Sequence, residues 1–104
     1  MHKTTRMDKS LIKQISDYLA NQPVERAWIF GSYARSEENN LSDIDILVDF
    51  IPDTKLTLFK YFHILNDLQL LTGKKIDLIE EGQLKSFAEE SAESEKILIY
   101  ERRA

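Results

Sequence analysis

Residues 24–50 read VERAWIFGSYARSEENNLSDIDILVDF, and the two apolar runs in this stretch decide the fold. VERAWIF, residues 24–30, has the β-branched and aromatic content of a short strand and is closed by Gly31. DIDILVDF, residues 43–50, alternates as a second strand: Ile44, Ile46, Val48 and Phe50 share one face, and Asp43, Asp45, Leu47 and Asp49 the other. One face of that strand is core, and the other begins with paired carboxylates. Between the strands, residues 32–38 suit a helix of about two turns with Ser32 as N-cap, because Glu37 and Glu38 are poor strand formers. NNLS then reads as a loop.

Outward from this stretch the pattern stays regular. DKSLIKQISDYLA, residues 8–20, places Leu11, Ile12, Ile15, Tyr18 and Leu19 at helical spacing, with Asn21 and Pro23 marking the stop. Pro52 ends the second strand. Residues 54–71 are helical in pattern, with Leu58, Phe62 and Leu65 expected on one stripe and Gly73 as the residue that ends the helix. KKIDLIE, residues 74–80, reads as a third strand with Ile76 and Leu78 on one face and Asp77 and Ile79 on the other. Beyond it, EGQLKSFAEESAESEKILIY suggests a charged helix followed by a short apolar segment, and ERRA a frayed tail. Helices alternating with strands in this order imply a small sheet with helices on one or both faces.

Composition narrows the function classes. A chain of 104 residues is expected to form one domain, residues 1–104, burying roughly 65% of its unfolded surface. No cysteine is present, so disulfides, thiolate metal sites and a cysteine nucleophile are excluded, and a metal would be held by carboxylates or by the two histidines. No apolar run approaches a membrane span, and a cytoplasmic protein without membrane contact is the expectation. The formal charge of −4 argues against direct nucleic-acid binding, which is dominated by Lys and Arg on phosphates.

Two aspartates at i and i+2 of a strand point the same way with Cα atoms about 6.6 Å apart, so Asp43 and Asp45 can reach one ion. If Asp77 lies on a neighbouring strand facing the same side, three carboxylates converge. At about 4 Å and an effective dielectric near 20, each like-charged pair repels by roughly 4 kcal/mol. Such a cluster takes up a proton or holds divalent cations. Magnesium suits it, since that ion prefers oxygen ligands and commonly uses a few carboxylates together with substrate phosphates. Two ions held this way could orient an attacking oxygen and stabilise a leaving pyrophosphate. Gly31 and Ser32 supply the complement: a glycine after a strand lets the backbone approach a phosphate, and free amides at a helix start point at the anion. Arg35, about one turn on, is within reach of a phosphate oxygen. Each element alone is ordinary, a turn or a solvated strand rim; their conjunction describes phosphoryl chemistry on a nucleoside triphosphate.

GSYARSEENNLSDIDILVDF resembles the signature of the DNA polymerase β-like nucleotidyltransferase superfamily, Gly-Ser, about ten residues, then Asp-x-Asp, and KKIDLI resembles its third-carboxylate strand. The short length and the GSYAR form resemble the minimal nucleotidyltransferases, the MNT proteins that accompany HEPN-domain partners in toxin-antitoxin modules. One departure is Ser36, where that family often has glycine after the arginine. The resemblance implies an α+β fold with a small mixed sheet and helices mainly on one face. It implies that Gly31 and Ser32 bind the triphosphate, that Asp43 and Asp45 ligate magnesium, and that Asp77 is the third carboxylate and general base; Arg35 as a phosphate contact and Asp77 as a metal ligand come from the residues themselves. It further implies transfer of AMP from ATP to a tyrosine hydroxyl of a HEPN ribonuclease toxin, silencing it, with the partner supplying the acceptor. Two other readings stand beside it: an antitoxin that neutralises by complex formation alone, and a nucleotidyltransferase for small molecules.

Other residues read more plainly. Tyr33 suits a half-buried aromatic or a base stack, and Ser42 either bonds Asp43 or shapes the loop. Trp28 is expected in the core, His63 packed or at the surface, and Asp49 exposed. Lys74 and Lys75 read as edge protection of the third strand.

Overall fold

A computed structural model of the chain describes residues 9–30, 43–81 and 96–102. Within them the elements are α1 (Lys9–Leu19), β1 (Val24–Phe30), β2 (Ile44–Phe50), α2 (Leu58–Thr72), β3 (Ile76–Glu80) and β4 (Ile97–Glu101). The strands form one mixed sheet in the order β3-β2-β1-β4. β1 runs antiparallel to both β2 and β4, and β2 runs parallel to β3, so α2 serves as the crossover between them. The α+β architecture with helices on one face is as expected.

Alternation along the strands builds the core. Ala27 and Ile29 of β1, Ile44, Ile46, Val48 and Phe50 of β2, and Ile76 and Leu78 of β3 are all buried. They pack in one cluster with Ile15 and Leu19 of α1 and Ile64 and Leu68 of α2. The other sheet face therefore carries the residues of opposite parity: Arg26, Trp28 and Phe30, then Asp45, Leu47 and Asp49, then Asp77 and Ile79. This second face, on which Leu47 is buried, holds the candidate site.

Local chemistry sets the element ends. Thr57 Oγ1 accepts from the Lys60 amide at 3.0 Å and caps α2, an interaction that stabilises a helix by about 1 kcal/mol. Gly73 ends α2 in the left-handed region at φ 69°, its amide donating to the Gln69 carbonyl at 2.9 Å. Gln69 also accepts the Ile76 amide through Oε1, at 3.1 Å, which fixes the turn into β3.

Three expectations are corrected. On α2, Leu58 and Phe62 are exposed, and the buried side is carried by Ile64 and Leu68 with Tyr61 and Leu65 beside them. The helix is apolar on several sides, so spacing alone selects no stripe. Trp28 is half-buried on the second sheet face and lies outside the main cluster, because its parity is that of Arg26 and Phe30. The C-terminal apolar segment is a fourth strand, and Arg102 is not frayed: its amide donates to the Glu25 carbonyl at 2.8 Å. Its guanidinium donates to the carbonyls of Val24 (3.0 Å), Gln22 (2.6 Å) and Ala20 (3.4 Å), capping the α1–β1 turn.

Candidate active site

The site is built at the edge of the sheet where β1 ends and β2 and β3 begin. Phe30 is the register partner of Asp45 across β1 and β2, and Asp45 is the register partner of Asp77 across β2 and β3. One row on the face opposite α1 and α2 thus reads Phe30, Asp45, Asp77. Adjacent strands lie about 4.8 Å apart, so the two carboxylates face the same solvent at close quarters. Asp43 lies immediately ahead of β2, and strand alternation gives it the side of Asp45. The Ile44 amide donates to the Lys75 carbonyl at 3.0 Å, which holds the start of β2 against the start of β3 and so fixes the register of the aspartates. Asp43 and Asp45 are partly buried and Asp77 is exposed.

Of the residues singled out in the sequence, Asp45 and Asp77 are brought together and Asp43 is placed two residues before Asp45. Gly31, Ser32 and Arg35 lie outside the described residues, as do Tyr33, Ser42 and the helices expected at 32–38 and after residue 81. Among the described residues no three His, Cys, Asp or Glu side chains stand close enough to hold a metal ion by themselves. This donor set still fits magnesium, which is commonly held by one or two carboxylates with phosphates and waters completing the shell.

The neighbouring rows explain how the site stays in place. Next to the aspartates run Leu98, Trp28, Leu47 and Ile79, with Leu47 buried in the middle. The Lys96 ammonium lies 4.2 Å from the Trp28 ring centroid and 3.7 Å from the Glu81 carboxylate. In the following row Arg26 pairs with Asp49 at 3.1 Å and with Glu101 at 3.7 Å, raising the guanidinium pKa through its hydrogen bond to Asp49. Asp49 is thus engaged in an ion pair, two rows from Asp45 on the same sheet face. From the helix side, the Tyr61 hydroxyl donates to the Leu78 carbonyl, one residue from Asp77. Burial, and after it the negative charge of Asp77, raise the Tyr61 pKa.

Tyr61 and Lys96 were not singled out by sequence. A tyrosine in an apolar helix reads as core, and a lysine before a short apolar run reads as solvated. Only the sheet order shows that one steadies β3 and that the other covers Trp28.

A mixed sheet with helices on one face and a carboxylate row at the strand-start edge of the other is a layout suited to nucleotidyl transfer. Residues 13–104 match the family described as Polymerase beta, Nucleotidyltransferase, and the chain belongs to that family. It is 36% identical over 101 residues to a Methanocaldococcus jannaschii protein named "Putative protein adenylyltransferase", covering 94% of this chain and 87% of the relative. It is 42% identical over 65 residues to Protein adenylyltransferase MntA of Thermococcus cleftensis, covering 61% of this chain and 62% of that one. The fold matches a chain in the structure of a tri-AMPylated Shewanella oneidensis HEPN toxin in complex with MNT antitoxin, with a TM-score of 0.68 at 15% identity, over 92% of this chain and 74% of that one. The family resemblance carried by residues 31–50 is borne out. Among the described residues, no helix is long and apolar enough to cross a membrane.

Proposed function

We propose that this chain is a magnesium-dependent protein adenylyltransferase that neutralises a HEPN ribonuclease toxin by moving AMP from ATP to a tyrosine hydroxyl of that partner. The observation that carries the reading is the registered Asp45–Asp77 pair at the sheet edge, with Asp43 just ahead of it. Relatives named protein adenylyltransferases support the transferred group, and the likeness to an antitoxin bound to a HEPN toxin supports the partner.

Asp43, Asp45 and Asp77 would hold the magnesium, as two ions. When bound, magnesium neutralises phosphate charge and polarises the phosphorus centre. The residues of the chain do the rest. Gly31 and Ser32 would hold the triphosphate through their backbone amides, and Arg35 would steady a terminal phosphate oxygen. The acceptor tyrosine oxygen attacks the α-phosphorus, the bond from that phosphorus to the bridging oxygen breaks, and pyrophosphate leaves. Asp77, the more exposed carboxylate of the registered pair, takes the hydroxyl proton. Held in line by this edge, the reactants exchange a bimolecular encounter for a positioned one.

Cells producing the toxin test the reading. The wild-type chain is expected to restore growth and the double variant Asp43→Asn/Asp45→Asn to fail although it still folds and binds the toxin. Full protection by the double variant would replace catalysis with neutralisation by complex formation.

A further inference from the structure

We propose that Tyr61 and Gln69 of α2 are positioning residues for Asp77, standing in for the neighbouring strand that the outer edge of β3 lacks. The inference rests on the catalytic reading of Asp77 given above.

β3 is an end strand, with β2 on one side only. Its ladder with β2 decides which backbone groups point outward. The Lys75 carbonyl accepts from the Ile44 amide at 3.0 Å, and the Glu81 amide donates to the Val48 carbonyl at 2.6 Å. The odd-numbered residues from Lys75 to Glu81, Asp77 among them, therefore turn their amides and carbonyls toward β2. Ile76 and Leu78, on either side of Asp77, turn theirs outward, where an end strand presents unpaired groups.

Both of these residues are met from α2. The Ile76 amide donates to Gln69 Oε1 at 3.1 Å, and the Leu78 carbonyl accepts from the Tyr61 hydroxyl. Tyr61 comes from the first turn of the helix and Gln69 from the last, about 12 Å apart along its axis. Ile64 and Leu68, which lie between them in the chain, anchor α2 in the core. The backbone around Asp77 is thus gripped on two sides, by β2 within the sheet and by a packed helix beyond it. Burial, and second the charge of Asp77, raise the Tyr61 pKa, so the hydroxyl keeps its proton and goes on donating at neutral pH.

This grip bears on rate. Asp77 has to reach the proton of the attacking hydroxyl while staying in register with Asp45, and a misplacement of about 1 Å at such a site can cost about a hundredfold. An edge held from one side only opens locally at little cost. Closing that edge against stray strands would need only charge or bulk. Two directed hydrogen bonds flanking one carboxylate residue restrict where that residue sits.

Steady-state AMP transfer and native-state amide exchange, measured on the same full-length variants, test the proposal. Tyr61→Phe and Gln69→Leu should each lower kcat at least about tenfold, with KM for ATP within about twofold of wild type. Gln69→Glu keeps an oxygen acceptor for the Ile76 amide and should keep kcat. Thr57→Ala removes the N-cap of α2 but neither of these bonds, so it controls for lost helix stability and should leave kcat unchanged. In an Asp77→Asn background Tyr61→Phe should cause no further loss, because residues acting as one unit do not add. In the free chain, exchange of the Asp77 amide should quicken at least about tenfold in Tyr61→Phe and Gln69→Leu, with that of Ala27 on the inner strand β1 unchanged. Wild-type kcat in both variants overturns the proposal, and if they aggregate at full kcat the two bonds belong to edge protection. A wild-type chain that transfers no AMP removes the function proposed above. The Asp77 amide then decides: quickened exchange upholds its positioning by α2, and an unchanged rate overturns it.

Discussion

Asp45 and Asp77 are register partners across two parallel strands, on the sheet face opposite α1 and α2. Like charges directly opposite each other on neighbouring strands cost a fold from a few tenths to about 1 kcal/mol. Under the proposed function the pair serves chemistry at a cost in stability. Asp77→Asn should leave the melting temperature without divalent ions unchanged or slightly higher. It should lower AMP transfer at least about a hundredfold, the scale of a lost catalytic acid–base group. A drop of several degrees in the melting temperature would instead give Asp77 a structural role.

Trp28 is the only tryptophan of the chain and lies one row from Asp45, with Lys96 against its ring. Binding of ATP with magnesium at the aspartate row should change its emission in a saturable way, and Asp45→Asn should weaken that response at least about tenfold. Lys96→Ala should alter the emission of the free chain and destabilise it by about 0.5–1 kcal/mol, the range for a cation held over an aromatic ring.

Gly73 ends α2 at φ 69°, and a methyl group placed on it would meet nothing within 4 Å. Any cost of Gly73→Ala is therefore one of backbone conformation alone, about 1–2 kcal/mol, which for a chain of this size lowers the melting temperature by roughly 4–16 °C. Gly73→Asn should cost less, because asparagine tolerates the left-handed region. Equal losses for both variants would indicate crowding instead of conformation.

The Tyr18 hydroxyl of α1 donates to Asp67 of α2 at 2.5 Å, and His63 Nε2 lies 3.2 Å from the same carboxylate. Burial, followed by the Asp67 hydrogen bond and charge, raises the Tyr18 pKa well above the ordinary tyrosine range. A pKa raised by folding means the bonded, protonated form stabilises the fold fully below about pH 10. That contribution is lost as pH climbs from there through the folded value. Melting curves from about pH 8 to 12 should show a steeper alkaline loss for wild type than for Tyr18→Phe, and parallel curves would exclude the bond from the stability of the α1–α2 contact.

The sheet could be read from sequence where one side of a strand is buried and the other is not. In β2 the alternation of Ile44, Ile46, Val48 and Phe50 with Asp43, Asp45 and Asp49 states both the strand and its inner face, and Ile76 and Leu78 do the same for β3. Gly73 was legible because only a left-handed residue is needed there. α2 misled because a helix with leucine and phenylalanine on most sides offers no unique inward stripe, and the choice is made by which side meets Ile15, Leu19 and the sheet. β4 was hidden because its five residues form an edge strand whose partner, β1, lies some seventy residues earlier, and no local period records such a pairing. For the site, the facing carboxylates were legible through parity once Asp77 was set beside β2. The supports from Tyr61 and Lys96 were not, since they depend on contacts between distant segments.

Intact-mass spectrometry of the HEPN partner, after incubation with this chain, ATP and magnesium, tests the proposed catalysis most directly. The partner should gain one or more AMP masses on tyrosine with the wild-type chain and none with Asp45→Asn or without magnesium. A partner that remains unmodified while the folded wild-type chain binds it would contradict AMP transfer as the function of the Asp45–Asp77 row.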